Sequence, residues 1–154
     1  HGVHRRQRQM CIRDRDIQYI KGEYYSYSGK EQINHLIYPV PGKLSLGLHA
    51  TLDLGRGIKF GPSAVETYKL DYKVEEANKM DFVRSLQQYW PSIQENNLSP
   101  DYSGIRAKVR GAEDFNIEKL DSKNKIAINI IGYISPGLTS SLALGEKISN
   151  LVKS

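Results

Sequence analysis

The chain has 154 residues, about one domain's worth, and its 39% hydrophobic content is ordinary for a sequence that buries a core. No run of about 18 apolar residues occurs, which excludes a membrane-spanning helix, and a single cysteine, Cys11, excludes an internal disulfide framework. Of the net charge of +5, +4 belongs to the first 15 residues, where Arg5, Arg6, Arg8, Arg13 and Arg15 stand with one acid, Asp14; taking these from the totals of 22 and 17 leaves 17 basic and 16 acidic groups, a nearly neutral body.

Residues 1–15 show no periodicity and no continuity with the patterned segments after Asp16. They read as a non-native or disordered tail; a basic arm for nucleic acid is the other reading, but no nucleic-acid partner is expected for the body. No apolar h-region comes after the charges, so a signal peptide is not expected.

Asp16 to Ser28 is tyrosine-rich with partial alternation, predicting two short strands or one strand bent at Gly22. Leu36–Tyr38 reads as a strand stopped by Pro39 and Pro41, which fix φ and remove ladder donors. From Leu46 to Leu54 the alternation is regular. Leu46, Leu48, Ala50, Leu52 and Leu54 share one face, and Gly47, His49, Thr51 and Asp53 the other. Gly55-Arg-Gly57 predicts a hairpin turn into Ile58–Gly61, ended by Pro62. Val74 to Tyr89 predicts a helix with Phe82, Val83, Leu86, Tyr89 and Trp90 as its apolar face, stopped by Pro91. After a Pro- and Asn-rich loop, Tyr102–Val109 and Phe115–Leu120 read as strands, with 121–125 as a polar turn. The Ile-rich run Ile126–Tyr133 reads as a buried strand, succeeded by Ser135-Pro-Gly and a helix. Ser135 suits an N-cap and Pro136 the first helical position; Leu138, Leu142, Gly145, Ile148 and Val152 share one face. A strand running into a helix presents free N–H groups and a positive dipole end at the turn. The expected class is α+β, with a mixed, largely antiparallel sheet.

Several chemistries lack the residues they need. Gly55-x-Gly57-x-x-x-Gly61 has the wrong spacing for a dinucleotide fingerprint and leads into a strand rather than a helix. No histidine, cysteine and carboxylate cluster has metal-ligand spacing, and no nucleophile elbow occurs. Two residues stand out. His49 lies on the polar face of its strand, either as a hydrogen-bonded structural histidine or as a proton acceptor near neutral pH. Arg106 sits mid-strand between Ile105 and Ala107; its guanidinium fork fits a carboxylate, either of the protein or of a substrate.

Gly22-Glu-Tyr-Tyr25, Leu36-Ile-Tyr-Pro-Val-Pro41, Gly47-Leu-His-Ala-Thr51, Phe60-Gly-Pro62, Gln88-Tyr-Trp-Pro91, Asp101-Tyr-Ser-Gly-Ile-Arg-Ala-Lys108, Asp114-Phe115 and Ser135-Pro-Gly-Leu-Thr-Ser-Ser-Leu142 occur in this order. In series, over residues 17–152, they resemble the C-terminal half of FAD-dependent oxidoreductases of the D-amino-acid-oxidase-like group, in the L-2-hydroxyglutarate dehydrogenase branch. The resemblance implies a substrate-binding sheet domain over 16–125. It implies that 126–154 is the strand and helix returning to a Rossmann FAD-binding half that would precede this chain and be its partner. It implies FAD as cofactor and oxidation of L-2-hydroxyglutarate to 2-oxoglutarate, with a glycine- or sarcosine-oxidase-like amine oxidase and a non-enzymatic binding domain as alternatives. His49 and Arg106 would then be catalytic, the arginine on the substrate carboxylate. Tyr38 and Lys108 would orient the second carboxylate, and Ser135, Pro136, Gly137, Leu138 and Thr139 would pack against the flavin. Ile134 departs from the acidic residue that many relatives carry there. The implied location is cytoplasmic, with peripheral attachment to the inner membrane or a quinone link left open.

Overall fold

A computed structural model of the protein describes residues 16–40, 47–112, 114–122 and 125–153. The expectations placed on 1–15, Pro41 and Leu46 lie outside these. The element order is β1 (Ile17–Tyr27), β2 (His49–Leu52), β3 (Ile58–Gly61), β4 (Val65–Thr67), α1 (Lys79–Leu86), β5 (Leu98–Val109), β6 (Asn116–Ser122), β7 (Lys125–Ile131) and α2 (Gly137–Lys153). This is the expected α+β class: a five-stranded sheet ordered β2-β3-β1-β4, with β5 also paired to β1, and a separate β6–β7 ladder. The registers at β1–β3, β1–β4, β2–β3 and β6–β7 are antiparallel.

The chain divides into two compact units, one spanning 19–106 and the other formed by 107–154 with the N-terminal residues through 18. In the first, strand alternation sorts side chains onto two faces. Tyr25, Ala50 and Phe60 are fully buried on one face, and Ile58 nearly so. There they join Phe82, Val83 and Leu86 of α1 and, from the next loop and strand start, Trp90, Ile93 and Leu98. Tyr25 and Phe82 rings lie 4.5 Å apart, and Trp90 meets Phe60 edge-on at 5.6 Å. The carboxylate of Glu23, 3% exposed, ties β1 to the segment entering α1. It accepts the Glu75 N–H at 3.3 Å and the Asn78 amide at 2.7 Å, and pairs with Lys21 at 3.2 Å.

The β2–β3 hairpin forms as the turn residues require. Arg56 adopts φ 65°, and Asp53 Oδ1 accepts the Gly57 N–H at 2.8 Å. Other expectations need correction. The first strand is one uninterrupted element, because Gly22 is there for close approach: a Cβ would lie 2.8 Å from Pro62 Cβ. Leu36–Tyr38 contributes only an isolated bridge between Ile37 and Ala50. Leu54 is fully exposed, since β2 ends at Leu52 and the turn begins. The helix expected from Val74 starts as a short 3-10 turn at Glu76–Asn78 and is regular only from Lys79 to Leu86. β5 starts four residues before Tyr102, and the strand at Val65–Thr67 carries no apolar alternation that would announce it.

In the second unit, β6 and β7 pair over seven residue positions, Asn116↔Ile131 through Ser122↔Lys125. The strand therefore reaches two residues further into the expected polar turn. The helix begins at Gly137, so Ser135 and Pro136 form the turn before it rather than its cap and first residue. The Gly137 N–H closes that turn onto the Ile134 carbonyl.

Candidate functional site

The face of the first unit's sheet opposite α1 gathers aromatic and polar side chains. Register places it: Tyr25 opposes Phe60 and Ala50 opposes Phe60, so the residues out of phase with these, Tyr24, Lys59, Gly61 and His49, point the other way. His49 opposes Gly61 across β2–β3. Gly61 has φ +146°, a conformation open essentially to glycine alone. A Cβ there would lie 2.6 Å from Tyr24 Cδ1 and 2.7 Å from the Glu23 carbonyl oxygen. The Tyr24 ring fills the space that a side chain at position 61 would need.

Tyr24 stacks on Tyr102 of β5 with centroids 4.5 Å apart and planes 15° from parallel. Lys59 Nζ stands 5.2 Å from the Tyr102 ring centroid and pairs with Asp101 at 2.7 Å, which raises the lysine's pKa. The Tyr24 phenol is held above its ordinary value of 10.0, first by burial and then by Tyr102; the nearby Arg106 guanidinium opposes the rise. Tyr24 therefore stays protonated and a donor at neutral pH. Arg106 is half-buried, and among the described residues no carboxylate forms an ion pair with it.

His49 is 8% exposed, and its ring packs against that of Tyr38 at 4.2 Å. Tyr38, also close enough to act electrostatically on Tyr24, is 58% exposed. Of the residues singled out in the sequence, His49, Tyr38 and Arg106 thus converge on one face. Tyr24 and Tyr102 were not singled out. The signal was present: adjacent tyrosines in a strand point to opposite faces, so only one of Tyr24 and Tyr25 can join the core.

Lys108 belongs to the second unit. There it lines a cavity of about 340 Å³ together with Asp114, Phe115, Ser135 and Pro136. Gly137 is buried, and the Tyr133 hydroxyl donates to its carbonyl. Ser135, Pro136, Leu138 and Thr139 are exposed. The expected helix face is corrected here: Leu138 and Leu142 are 92% and 89% exposed, whereas Gly137 and Leu144 are buried, with Ile148 and Leu151 partly so. Among the described residues no cluster of histidine, cysteine and carboxylate side chains has metal-binding proximity, and no helix is long and apolar enough to cross a membrane.

A family model for FAD dependent oxidoreductases (DAO) matches residues 2–151. The chain is 36% identical over 149 residues to the mitochondrial L-2-hydroxyglutarate dehydrogenase of Arabidopsis thaliana, covering 86% of this chain and 31% of that protein. It is 27% identical to the L-2-hydroxyglutarate dehydrogenase of Indibacter alkaliphilus, covering 83% of this chain and 42% of the relative. The chain thus spans well under half the length of these relatives. Its fold is similar to the FAD-bound, dithionite-reduced L-alpha-glycerophosphate oxidase of Mycoplasma pneumoniae. The TM-score is 0.75 at 20% identity, over 92% of this chain and 38% of that one.

Proposed function

We propose, from the premise that this chain belongs to the FAD dependent oxidoreductase (DAO) family, that it is the substrate-binding portion of an enzyme oxidising L-2-hydroxyglutarate to 2-oxoglutarate. The observation that carries the reading is Arg106: a half-buried guanidinium on a sheet face of phenols, with no ion-paired carboxylate among the described residues. A partly exposed guanidinium with no carboxylate beside it is open to an anion brought by a ligand. A substrate carboxylate supplies that partner in bidentate geometry. The similarity to two L-2-hydroxyglutarate dehydrogenases supports the choice of substrate.

In this reading Arg106 orients the substrate by its carboxylate and His49, beside Tyr38, takes the hydroxyl proton. Tyr38 contacts the substrate's far end from its exposed position. The chemistry that FAD supplies when bound is acceptance of a hydride at flavin N5 from the substrate carbon. The residues around the Ser135-Pro136 turn fit one edge of a flavin by the nature of their donors. A lysine ammonium, a carboxylate, a serine hydroxyl and the turn that precedes a 17-residue helix lie beside one cavity, so its charges offset and the helix end supplies the positive bias. Ser135, Pro136, Gly137, Leu138 and Thr139 would hold it. The pyrophosphate-gripping Gly-x-Gly-x-x-Gly does not occur in this sequence, so that grip would fall to polypeptide preceding this chain.

The test is Arg106→Ala in the complete flavoenzyme carrying this chain. Losing a charge-assisted bidentate contact of about 3 kcal/mol raises KM for L-2-hydroxyglutarate on the order of 100-fold. An unchanged KM and kcat would remove the carboxylate role, and oxidation of glycine or sarcosine to the imine, with no turnover of L-2-hydroxyglutarate, would move the enzyme to amine oxidation.

A further inference from the structure

We propose that Tyr38 is a positioning residue: its ring holds the His49 imidazole in one orientation, so that a ring nitrogen is aimed at the substrate hydroxyl. The inference rests on the reading of His49 as proton acceptor. It gives the Tyr38 ring a task separate from any contact its hydroxyl makes with substrate. It starts from a side chain that is exposed and yet fixed in place. Tyr38 is 58% exposed, but its ring centroid lies 4.2 Å from that of His49, which is only 8% exposed. Tyr38 is thus a cover laid over the imidazole rather than part of the core.

The backbone explains why the two rings meet. Ile37 makes an isolated antiparallel bridge to Ala50, exchanging hydrogen bonds of 3.0 and 2.9 Å. Ile37 packs against the core cluster that holds Ala50, so the next residue, Tyr38, turns to the opposite face, as His49 does beside Ala50. Pro39 then fixes the chain, packed where a Cβ on Gly47 would run into its ring. On the other side of His49, the Leu48 carbonyl accepts the Tyr89 hydroxyl at 2.8 Å. The backbone is therefore pinned at both neighbours of His49, and what is left to set is the rotation of its side chain. Gly61, opposite His49 in the β2–β3 register, brings no side chain to set it. The Tyr38 ring, its plane 54° from that of the imidazole, does so. An imidazole takes a proton only through a ring nitrogen within hydrogen-bond reach of the donor oxygen. A base turned away from that oxygen costs rate, while the groups that bind substrate keep their hold.

The experiment uses the complete flavoenzyme with L-2-hydroxyglutarate as the varied substrate. Tyr38→Phe keeps the ring and removes the hydroxyl, whereas Tyr38→Ala removes both. The expected kcat stays within about twofold of the parent in Tyr38→Phe, whatever its KM, and falls about tenfold in Tyr38→Ala. A second readout needs no turnover. The rate at which diethyl pyrocarbonate modifies His49, located by peptide mass spectrometry, should rise several-fold in Tyr38→Ala and stay at the parent value in Tyr38→Phe. Truncating a side chain that is more than half exposed leaves the fold intact, which the melting temperature checks. An unchanged kcat in Tyr38→Ala, an equal loss of kcat in both variants, or an unchanged modification rate in Tyr38→Ala overturns the proposal while leaving the His49 reading standing. Full kcat in His49→Gln overturns that reading and the proposal with it.

Discussion

The two units use their apolar side chains in opposite ways. Between 19 and 106, ten residues from Tyr25 to Leu98 form one buried cluster under α1. In the other unit the buried hydrophobic side chains among the described residues are Val109 and Leu144, while Leu138, Leu142 and Val152 are exposed on α2. The first unit carries its own core; the second forms by local pairing, a seven-position hairpin and a helix, and buries little. The lesson is that a proposed substrate face can sit on a sheet with its own core while the segment beside a proposed cofactor stays lightly packed.

The contrast can be broken most forcefully in the first core. Phe60→Ala removes a fully buried ring that meets both Tyr27 and Trp90, and should cost about 3–5 kcal/mol in denaturant unfolding. A loss under about 1 kcal/mol would mean that the cluster is not the stabilising core. Alkali gives a middle-sized effect. Burial pushes Tyr25 and Tyr89 up to about 12 from 10.0. A raised phenol favours the protonated fold, so its contribution is complete below pH 10.0 and is lost as pH climbs towards 12. The thermal midpoint should fall across that interval, and less steeply in Tyr89→Phe. The smallest effect sharpens the comparison from the other side. Leu138→Ser and Leu142→Ser should each change the stability of this chain by no more than about 0.5 kcal/mol, because neither side chain leaves water on folding. A drop of several kcal/mol by calorimetry would show that α2 is packed on that side after all.

Much of the first unit was legible because period and turn chemistry agree there. Ala50 and Phe60 face inward, and Gly55-Arg56-Gly57 with Asp53 turns the chain. What failed to read has physical causes. Gly22 looks like a break, but is the gap that Pro62 needs. Val65-Glu-Thr67 is too short and too exposed to show alternation. α2 carries leucines on more than one side, so periodicity does not say which stripe is covered; Leu144 is buried and Leu151 partly so, while Leu138 and Leu142 are exposed. At the candidate site, His49 and Arg106 are legible as chemical types and Tyr38 only through the family resemblance, whereas Tyr24 and Tyr102 read as ordinary strand aromatics because their stacking is a contact between distant strands.

Strand β5 carries Tyr102 and Arg106 four residues apart, an even step that keeps both on one side of the pleat. A single inserted residue between them would invert one relative to the other, whereas two would leave the sidedness intact. If this side of the strand serves the proposed substrate face, related chains that accept the same substrate should differ here by even numbers of residues or by none.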